Sequence, residues 1–379
     1  MTQTVAPPTR RIHEIDAVRG FALAGILLAN IGFFADPGAA AGGAAQIPQG
    51  PVASVVTTLV LTKFYVIFSF LFGYSFTLQM RSWGDQVRGR MLRRCLGLFA
   101  LGVAQGFLLW IGDILTLYAA LGLILLAMRN VRPRTAVITG VTIIGVLTVL
   151  WLALAGLTLL DPAAAADQAA DPAEAARALA LFTGSPLDFL TYQAETYPML
   201  ALFVWLGQGP MAMALFLFGM AAGKSRLFEE PERWARLVPR IQLFGFGVGL
   251  PAAAFFTWSS TASGSWVLVG VAVNNVTSLF LSAAYVVTLL QLVRRFPLVG
   301  TVLSAPGRVA ASNYIGQSVL MCLVFTGYGL ALAGRLEPIA VMGVAALIYA
   351  VLAALSAWWL RGHRYGPVEY GLRALTNLR

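Results

Sequence analysis

The chain of 379 residues is too apolar for an ordinary soluble protein: hydrophobic residues make up 59% and charged residues only 11%, where a soluble domain carries about 25% charged residues. A net charge of +10 is also found in nucleic-acid-binding proteins, but the sequence argues against that function because no basic domain stands apart from the apolar segments. The two cysteines, Cys95 and Cys322, lie near or within separate apolar segments and form no metal-binding or disulfide pattern.

Ten apolar segments follow one another along the chain. Most of them reach the length of about 20 helical residues that crosses a hydrocarbon layer, so the sequence predicts an all-α integral membrane protein with about ten transmembrane helices. The predicted spans are 17–35, 52–80, 91–111, 113–129, 135–160, 198–223, 238–257, 264–293, 309–333 and 338–360. We expect a single polytopic membrane domain over 1–379, with a periplasmic connector at 161–197 and a cytoplasmic tail at 361–379.

Positive charge alternates from one set of loops to the other. Of the 26 lysines and arginines, 23 fall in the N-terminal segment, the tail and every second loop, while Arg177 and Arg335 fall in the other loops and Lys63 lies inside a span. The positive-inside rule places the basic side in the cytoplasm, so both termini are predicted to face the cytoplasm. The basic loops are then expected to contact anionic membrane lipids.

Ionisable groups inside predicted spans are functional candidates, because their burial in a bilayer is costly. The first span opens with Asp16 and Arg19, which stand three residues apart and can form an ion pair, and Asn30 follows about three turns later on nearly the same face. This group is either a structural pair near the membrane surface or a site that binds phosphate through Arg19. Lys63 lies in the middle of the second span and needs a carboxylate or a wet cavity, unless the helix breaks there.

The short turn between the third and fourth spans, residues 110–115, carries Asp113. Its carboxylate can cap the helix that follows. Alternatively, it lies at the mouth of the bundle, where it meets Lys63 or acts as a base. Gln105 lies two turns below it on the preceding span.

A last polar cluster lies at the start of the ninth span, on the predicted cytoplasmic side. Ser312, Asn313, Gln317 and Ser318 place several hydrogen-bonding groups in its first turns. Arg308 and the arginines of the tail can bind phosphate there. The alternative is that these side chains join helices to one another.

Two further features concern the organisation of the chain. The connector predicts a short surface helix that begins at Asp171-Pro172, and it is either a solvated linker or a lid over a cavity that faces the periplasm. Residues 69–73 (SFLFG) resemble residues 215–219 (LFLFG), and both segments end spans that enter a basic loop. Five positions are too few to establish a duplication.

Four sequence blocks together resemble the YeiB-type inner-membrane family, a group defined by a domain of unknown function. They are 15–26 (IDAVRGFALAGI) with Asn30, Lys63-Phe64 with 68–73 (FSFLFG), 112–115 (GDIL) with Tyr118, and 307–318 (GRVAASNYIGQS) closed by 365–369 (YGPVE). The blocks extend from the first span to the tail, so the resemblance covers essentially the whole chain. It implies a multi-pass protein of the bacterial inner membrane.

The family is more distantly similar to membrane-embedded acyltransferases of the heparan-α-glucosaminide N-acetyltransferase type, which share the Asp-x-x-Arg-Gly opening and an asparagine further along the first span. That similarity implies transfer of an acyl group from cytoplasmic acyl-CoA to a lipid or glycan acceptor by a catalytic histidine, without a tightly bound cofactor. The chain departs from this pattern, because its two histidines, His13 and His363, both lie on the predicted cytoplasmic side. Gln105 occupies the region where relatives carry a histidine, and a glutamine side chain cannot act as a general base.

Two hypotheses therefore remain, and neither requires a metal site. In an acyltransferase, Asp113 or Lys63 acts near the acceptor, and the donor-binding residues are Asp16, Arg19, Asn30, Arg308, Asn313 and Gln317. In a non-catalytic transporter or lipid-handling protein, Lys63 and Asp113 line the substrate path, which the missing histidine favours. The sequence is compatible with a homo-oligomer under either hypothesis.

Overall fold

The computed structural model describes residues 13–38, 50–160, 171–230, 232–262 and 265–377, and these form helices and turns with no strand among them. The helices are α1 His13–Ala35, α2 Pro51–Leu59, α3 Lys63–Trp83, α4 Val87–Leu108, α5 Leu115–Ala127, α6 Pro133–Leu160, α7 Pro172–Thr183, α8 Pro186–Lys224, α9 Glu232–Ala235, α10 Val238–Ser259, α11 Trp266–Arg295, α12 Pro297–Arg308, α13 Ala310–Phe325, α14 Pro338–Trp359 and α15 Pro367–Thr376. A 3₁₀ turn, Gly84–Gln86, joins α3 to α4.

Long apolar helices dominate the fold, as expected for an all-α membrane protein. Among the described residues, seven helical stretches are long and apolar enough to cross a membrane. The count of ten spans is not confirmed. Helices α5 and α13 have 13 and 16 residues, and at about 1.5 Å per residue neither spans a hydrocarbon layer of about 30 Å.

Helix α6 shows most directly that the outer surface is apolar. Val149, Leu157 and Leu160 on this helix are exposed by 66%, 61% and 83%. Contiguous exposed apolar surface of this kind is rare on soluble monomers and is typical of surfaces that contact a membrane or a partner. The exposed leucines of α6 therefore agree with a position in the bilayer.

The basic loops meet on one side of the bundle, here called the basic face, which includes the start of α1 and the ends of α8 and α11. Glu14 at the start of α1 pairs with Arg294 at the end of α11 at 2.8 Å. Lys224 Nζ at the end of α8 donates a hydrogen bond to the carbonyl oxygen of Arg129, between α5 and α6, at 2.7 Å. These contacts agree with the alternation of charge along the sequence.

The predicted connector is mostly helical where the structure describes it. Asp171 caps α7 by accepting a hydrogen bond from a backbone N–H at 2.9 Å, so the predicted start of a short helix is confirmed. Phe182 of α7 is buried in the core. Helix α8 begins at Pro186, because Ser185 and Asp188 form a capping box. Residues 161–170 lie outside the described residues.

The two similar segments SFLFG and LFLFG cross each other at their glycines. A Cβ atom added at Gly73 would overlap the carbonyl oxygen of Phe216, and one added at Gly219 would overlap that of Phe70. The contact is therefore reciprocal, and it stacks Phe72 on Phe216 with ring centroids 4.6 Å apart. Close backbone approach requires a small residue on each helix, so packing explains the similarity without a duplication.

A second pair of glycines joins α1 to α12. A Cβ atom at Gly20 would overlap the carbonyl oxygen of Leu303, and one at Gly307 would overlap that of Asp16. Because Gly20 and Gly307 belong to the first and fourth sequence blocks, this crossing places those blocks side by side.

Candidate functional site

The four sequence blocks pack against one another inside the bundle. Gln317 Nε2 of the fourth block donates to the carbonyl oxygen of Leu23 in the first block at 3.0 Å. The hydroxyls of Ser69, in the second block, and Tyr118, in the third, share a hydrogen bond of 2.5 Å. Segments that are remote in sequence thus form one connected interior, which makes this interior the candidate site.

Asp113 lies in that interior, with 1% of the residue exposed. Its two carboxylate oxygens accept hydrogen bonds from the backbone N–H groups of Leu115 (3.0 Å) and Thr116 (2.9 Å). This geometry is that of the predicted helix cap. The turn that carries Asp113 is buried as well, including Trp110 and Ile111, so the prediction that the carboxylate lies at the mouth of the bundle is wrong.

Polar and aromatic side chains surround this carboxylate, and we call Asp113, Gln105, Tyr197, Tyr314 and Ser318 the Asp113 cluster. Tyr197 and Tyr314 lie close enough to interact with the charge of Asp113. Gln105 Nε2 donates to Ser318 Oγ at 3.1 Å. No ion pair joins Asp113 to any described cation.

An aromatic layer covers the Asp113 cluster on the side opposite the basic face. Phe34 stacks on Trp110 with centroids 4.4 Å apart, and Phe182 packs edge-on against Tyr192 at 5.2 Å. Trp110 Nε1 and both amide atoms of Gln193 are buried and have no hydrogen-bond partner among the described residues. Buried polar atoms are usually hydrogen-bonded, so these groups are candidates for contact with a ligand.

Sequence reasoning missed Tyr192, Gln193 and Tyr197 because they fell inside the predicted connector. Their neighbours in the sequence are polar, and no local pattern distinguishes them from a solvated segment. The structure places them on the first turns of α8, facing the core. That these residues face the core becomes evident only from the packing of α7 against α8.

Lys63 occupies a separate site where the second predicted span breaks into α2 and α3. The residue is fully buried, and its Nζ donates to the carbonyl oxygen of Thr57 at 3.2 Å. That carbonyl belongs to the last turn of α2, where a cation interacts favourably with the helix dipole. Tyr285 Oη donates to the neighbouring carbonyl of Leu59 at 3.1 Å.

The structure does not bring Lys63 to Asp113. No described carboxylate lies within ion-pair distance of Lys63, and Phe256 lies 5.9 Å from its Nζ. Thr62, the residue before it, adopts φ 72°, which is unusual for a β-branched residue. A break in the helix, which the sequence analysis named as the exception, therefore accounts for the depth of Lys63. The catalytic role of Lys63 stays a prediction.

Substitution of Lys63 by methionine should raise the free energy of unfolding by about 1–3 kcal/mol, because a buried cation without a carboxylate partner costs more than one hydrogen bond returns. Lys224→Met is the matched control, since Lys224 donates to the carbonyls of Arg129 (2.7 Å) and Val131 (2.5 Å) and should destabilise when replaced. Unfolding by SDS titration in mixed micelles measures both. If Lys63→Met lowered the free energy of unfolding more than Lys224→Met did, Lys63 would stabilise the fold and the prediction would be wrong.

Asp16 and Arg19 form the predicted ion pair at 2.9 Å. Arg19 also donates to Ser75 Oγ at 2.5 Å, which ties α1 to α3. Arg94 of α4 lies near both Arg19 and Glu369. The structure thus groups several charged side chains at the basic end of the bundle, whereas Asn30, further along α1, makes no hydrogen bond with the described residues.

The fourth block is held largely by structural hydrogen bonds. Asn313 Nδ2 donates to Ser356 Oγ at 2.8 Å and to two backbone carbonyls. Glu369 of the tail accepts from the backbone N–H of Ala311 (2.7 Å) and from Ser312 Oγ (2.5 Å). A carboxylate therefore occupies the N-terminus of α13, where a phosphate would otherwise be favoured. These contacts join helices to one another, which is the alternative that the sequence analysis gave for this cluster.

Comparisons with known proteins identify the family of this chain. Residues 222–379 match the family model described as "Protein of unknown function (DUF418)". The chain is 31% identical to the uncharacterized protein YxaH of Bacillus subtilis (97% of this chain, 94% of the relative). It is 27% identical to an uncharacterized 39.9 kDa protein in the amylase 3′ region of Bacillus acidopullulyticus (97% and 94%) and 26% identical to the uncharacterized protein YeiB of Escherichia coli (96% and 95%). This chain therefore belongs to the YeiB-type family with its domain of unknown function.

Proposed function

We propose that this protein transfers an acyl group inside the membrane, with Asp113 as the general base. The observation that carries the proposal is the buried carboxylate of Asp113, which two backbone N–H groups orient and no described cation neutralises. A carboxylate oxygen that accepts one hydrogen bond retains further acceptor capacity. It is therefore able to take a proton from a hydroxyl or amine placed beside it.

In the proposed reaction, the acceptor hydroxyl or amine gives its proton to Asp113 and attacks the thioester carbonyl carbon of acyl-CoA. The new bond from carbon to oxygen or nitrogen forms as the carbon–sulfur bond breaks, and the leaving thiolate takes up the proton. The phenol of Tyr314, close to Asp113, would donate a hydrogen bond to the developing oxyanion. Asp113 thus takes the role that a histidine has in the similar acyltransferases.

The donor would approach from the basic face, with Arg19 and Arg308 as its proposed phosphate ligands. Support comes from the crossing at Gly20 and Gly307, which brings the segments that carry these two arginines together. Glu369 and Asp16 lie in the same region and would have to share it with the phosphates.

Thiol release from a panel of acyl-CoAs tests the proposal, with the full-length protein supplied with an extract of bacterial membrane lipids and glycans. A transferase should release free thiol in proportion to the protein and only when the extract is present. The labelled acyl group should appear in the extract. Acyl transfer would be contradicted if the protein released no thiol from any donor although its thermal unfolding showed that it was folded.

A carrier of lipids or solutes is the alternative, and the broken helix around Lys63 favours it. Transporters often place a discontinuous helix and a buried charge beside the substrate path. An inventory of bound molecules by native mass spectrometry separates the two functions. A mass typical of a CoA ester supports the transferase, and a retained lipid or polyprenyl compound without thiol release supports the carrier.

A further inference from the structure

A cleft of about 600 Å³ opens on the basic face, and no member of the Asp113 cluster lines it. Its walls are the C-terminal ends of α3 and α8, the 3₁₀ turn, the first turn of α4 and the loop between α5 and α6. The volume lies within the range of about 300–1,000 Å³ that is common for small-ligand pockets.

Positive charge dominates the lining of this cleft. Arg81, Arg88, Arg129 and Lys224 line the cleft together with one carboxylate, Asp85. Because Arg81 is also paired with Glu229 at 2.8 Å, an excess of two positive charges remains. Arg88 is exposed and makes no hydrogen bond or ion pair with the described residues. The cleft therefore contains more cationic groups than the local fold neutralises.

Two of these cations are held in place by backbone carbonyls. Lys224 Nζ donates to the carbonyls of Arg129 and Val131 at 2.7 and 2.5 Å, and its third proton is available to a ligand. Arg129 Nη1 donates to the carbonyl of Leu126 at 3.2 Å, while a guanidinium carries five N–H donors. Side chains that are already fixed lose little conformational entropy when a ligand binds.

The N-terminus of α4 adds backbone donors to the same cleft. The helix begins at Val87, and no side chain caps its first turn. Gly84, which precedes it in the cleft wall, adopts φ 51°, a conformation that favours glycine. The N–H of Val87 bonds to the carbonyl oxygen of Gly84. The N–H groups that follow it and the positive end of the helix dipole attract anions, here beside Arg88 and Arg129.

We propose that this cleft binds the phosphate group of a phosphate ester. Phosphate oxygens match the fork of an arginine, the ammonium of Lys224 and the N–H groups at the start of α4. The proposal is independent of acyl transfer, because none of these residues belongs to the Asp113 cluster. The cleft lies where α3 and α8 leave the apolar bundle, so an anionic phospholipid headgroup and a soluble nucleotide are both able to reach it.

The test uses the full-length protein in phosphatidylcholine nanodiscs, with phosphatidylglycerol and ADP as probes. The variant Arg88→Gln/Arg129→Gln removes two cations from the cleft without touching Lys224. Its matched control is Arg132→Gln/Arg134→Gln, which changes the charge equally at two exposed arginines that do not line the cleft. Native mass spectrometry counts the bound probe across a titration.

We expect the cleft variant to bind the probe about tenfold more weakly than the control, because charge-assisted hydrogen bonds are lost. If phosphatidylglycerol binds more weakly to the cleft variant than to the control and ADP does not displace it, the ligand is a lipid headgroup. If ADP binds more weakly to the cleft variant than to the control and displaces the lipid, the ligand is a soluble phosphate ester. Equal affinity of the two double variants for both probes overturns the proposal.

Discussion

Replacement of Asp113 by asparagine should lower acyl transfer by about 10²–10⁴-fold, the usual contribution of a general base. The fold should survive, because the asparagine side chain also caps helices well and its oxygen is able to keep one of the two hydrogen bonds to the start of α5. The expected signature is a fall in the rate of thiol release with little change in the unfolding temperature.

The chain offers a matched control for this substitution. Asp171 also caps a helix through its side chain, at the start of α7, but it is exposed and distant in sequence from the Asp113 turn. Asp171→Asn should leave thiol release unchanged. If Asp113→Asn retained full turnover, Asp113 would be a cap alone, and the base would have to be sought elsewhere.

Local patterns predicted the helical fold, the pair of Asp16 with Arg19, and the start of α7 at Asp171-Pro172. Each depends on contacts within one or two helical turns or on the hydropathy of a whole segment. The cap formed by Asp113 is local as well, because its partners Leu115 and Thr116 follow directly in the chain. Interactions of this kind are encoded by spacing alone.

The depth of Asp113 and the break before Lys63 could not be predicted in this way. The segment Val60-Leu61-Thr62 contains no proline or glycine, so its sequence reads as continuous helix. The burial of Asp113 depends on Gln105, Ser318 and the aromatic layer, which approach from other helices. Gln105 and Ser318 are separated by 213 residues, and a sequence without contact information gives no sign that they meet.

The contact between α1 and α12 predicts the largest effect on stability. A Cβ atom at Gly307 would overlap the backbone of Asp16 and Gly20, and a backbone cannot move aside as the end of a flexible side chain can. Gly307→Ala should therefore destabilise the protein by about 2–3 kcal/mol through overpacking, although alanine is the better helix former. Because the displaced segment carries Arg19, donor binding should weaken as well.

Gly247→Ala on α10 is the control, because no heavy atom lies within 4 Å of a Cβ built there. It should stabilise the protein by about 0.5–1 kcal/mol through helix propensity. The two buried cysteines, Cys95 and Cys322, allow the measurement, since a thiol-reactive fluorophore reports their exposure as the protein unfolds on heating. The test is whether the two substitutions change the stability of the protein in opposite directions. A Gly307→Ala protein as stable as Gly247→Ala would mean that α1 and α12 do not touch at their backbones.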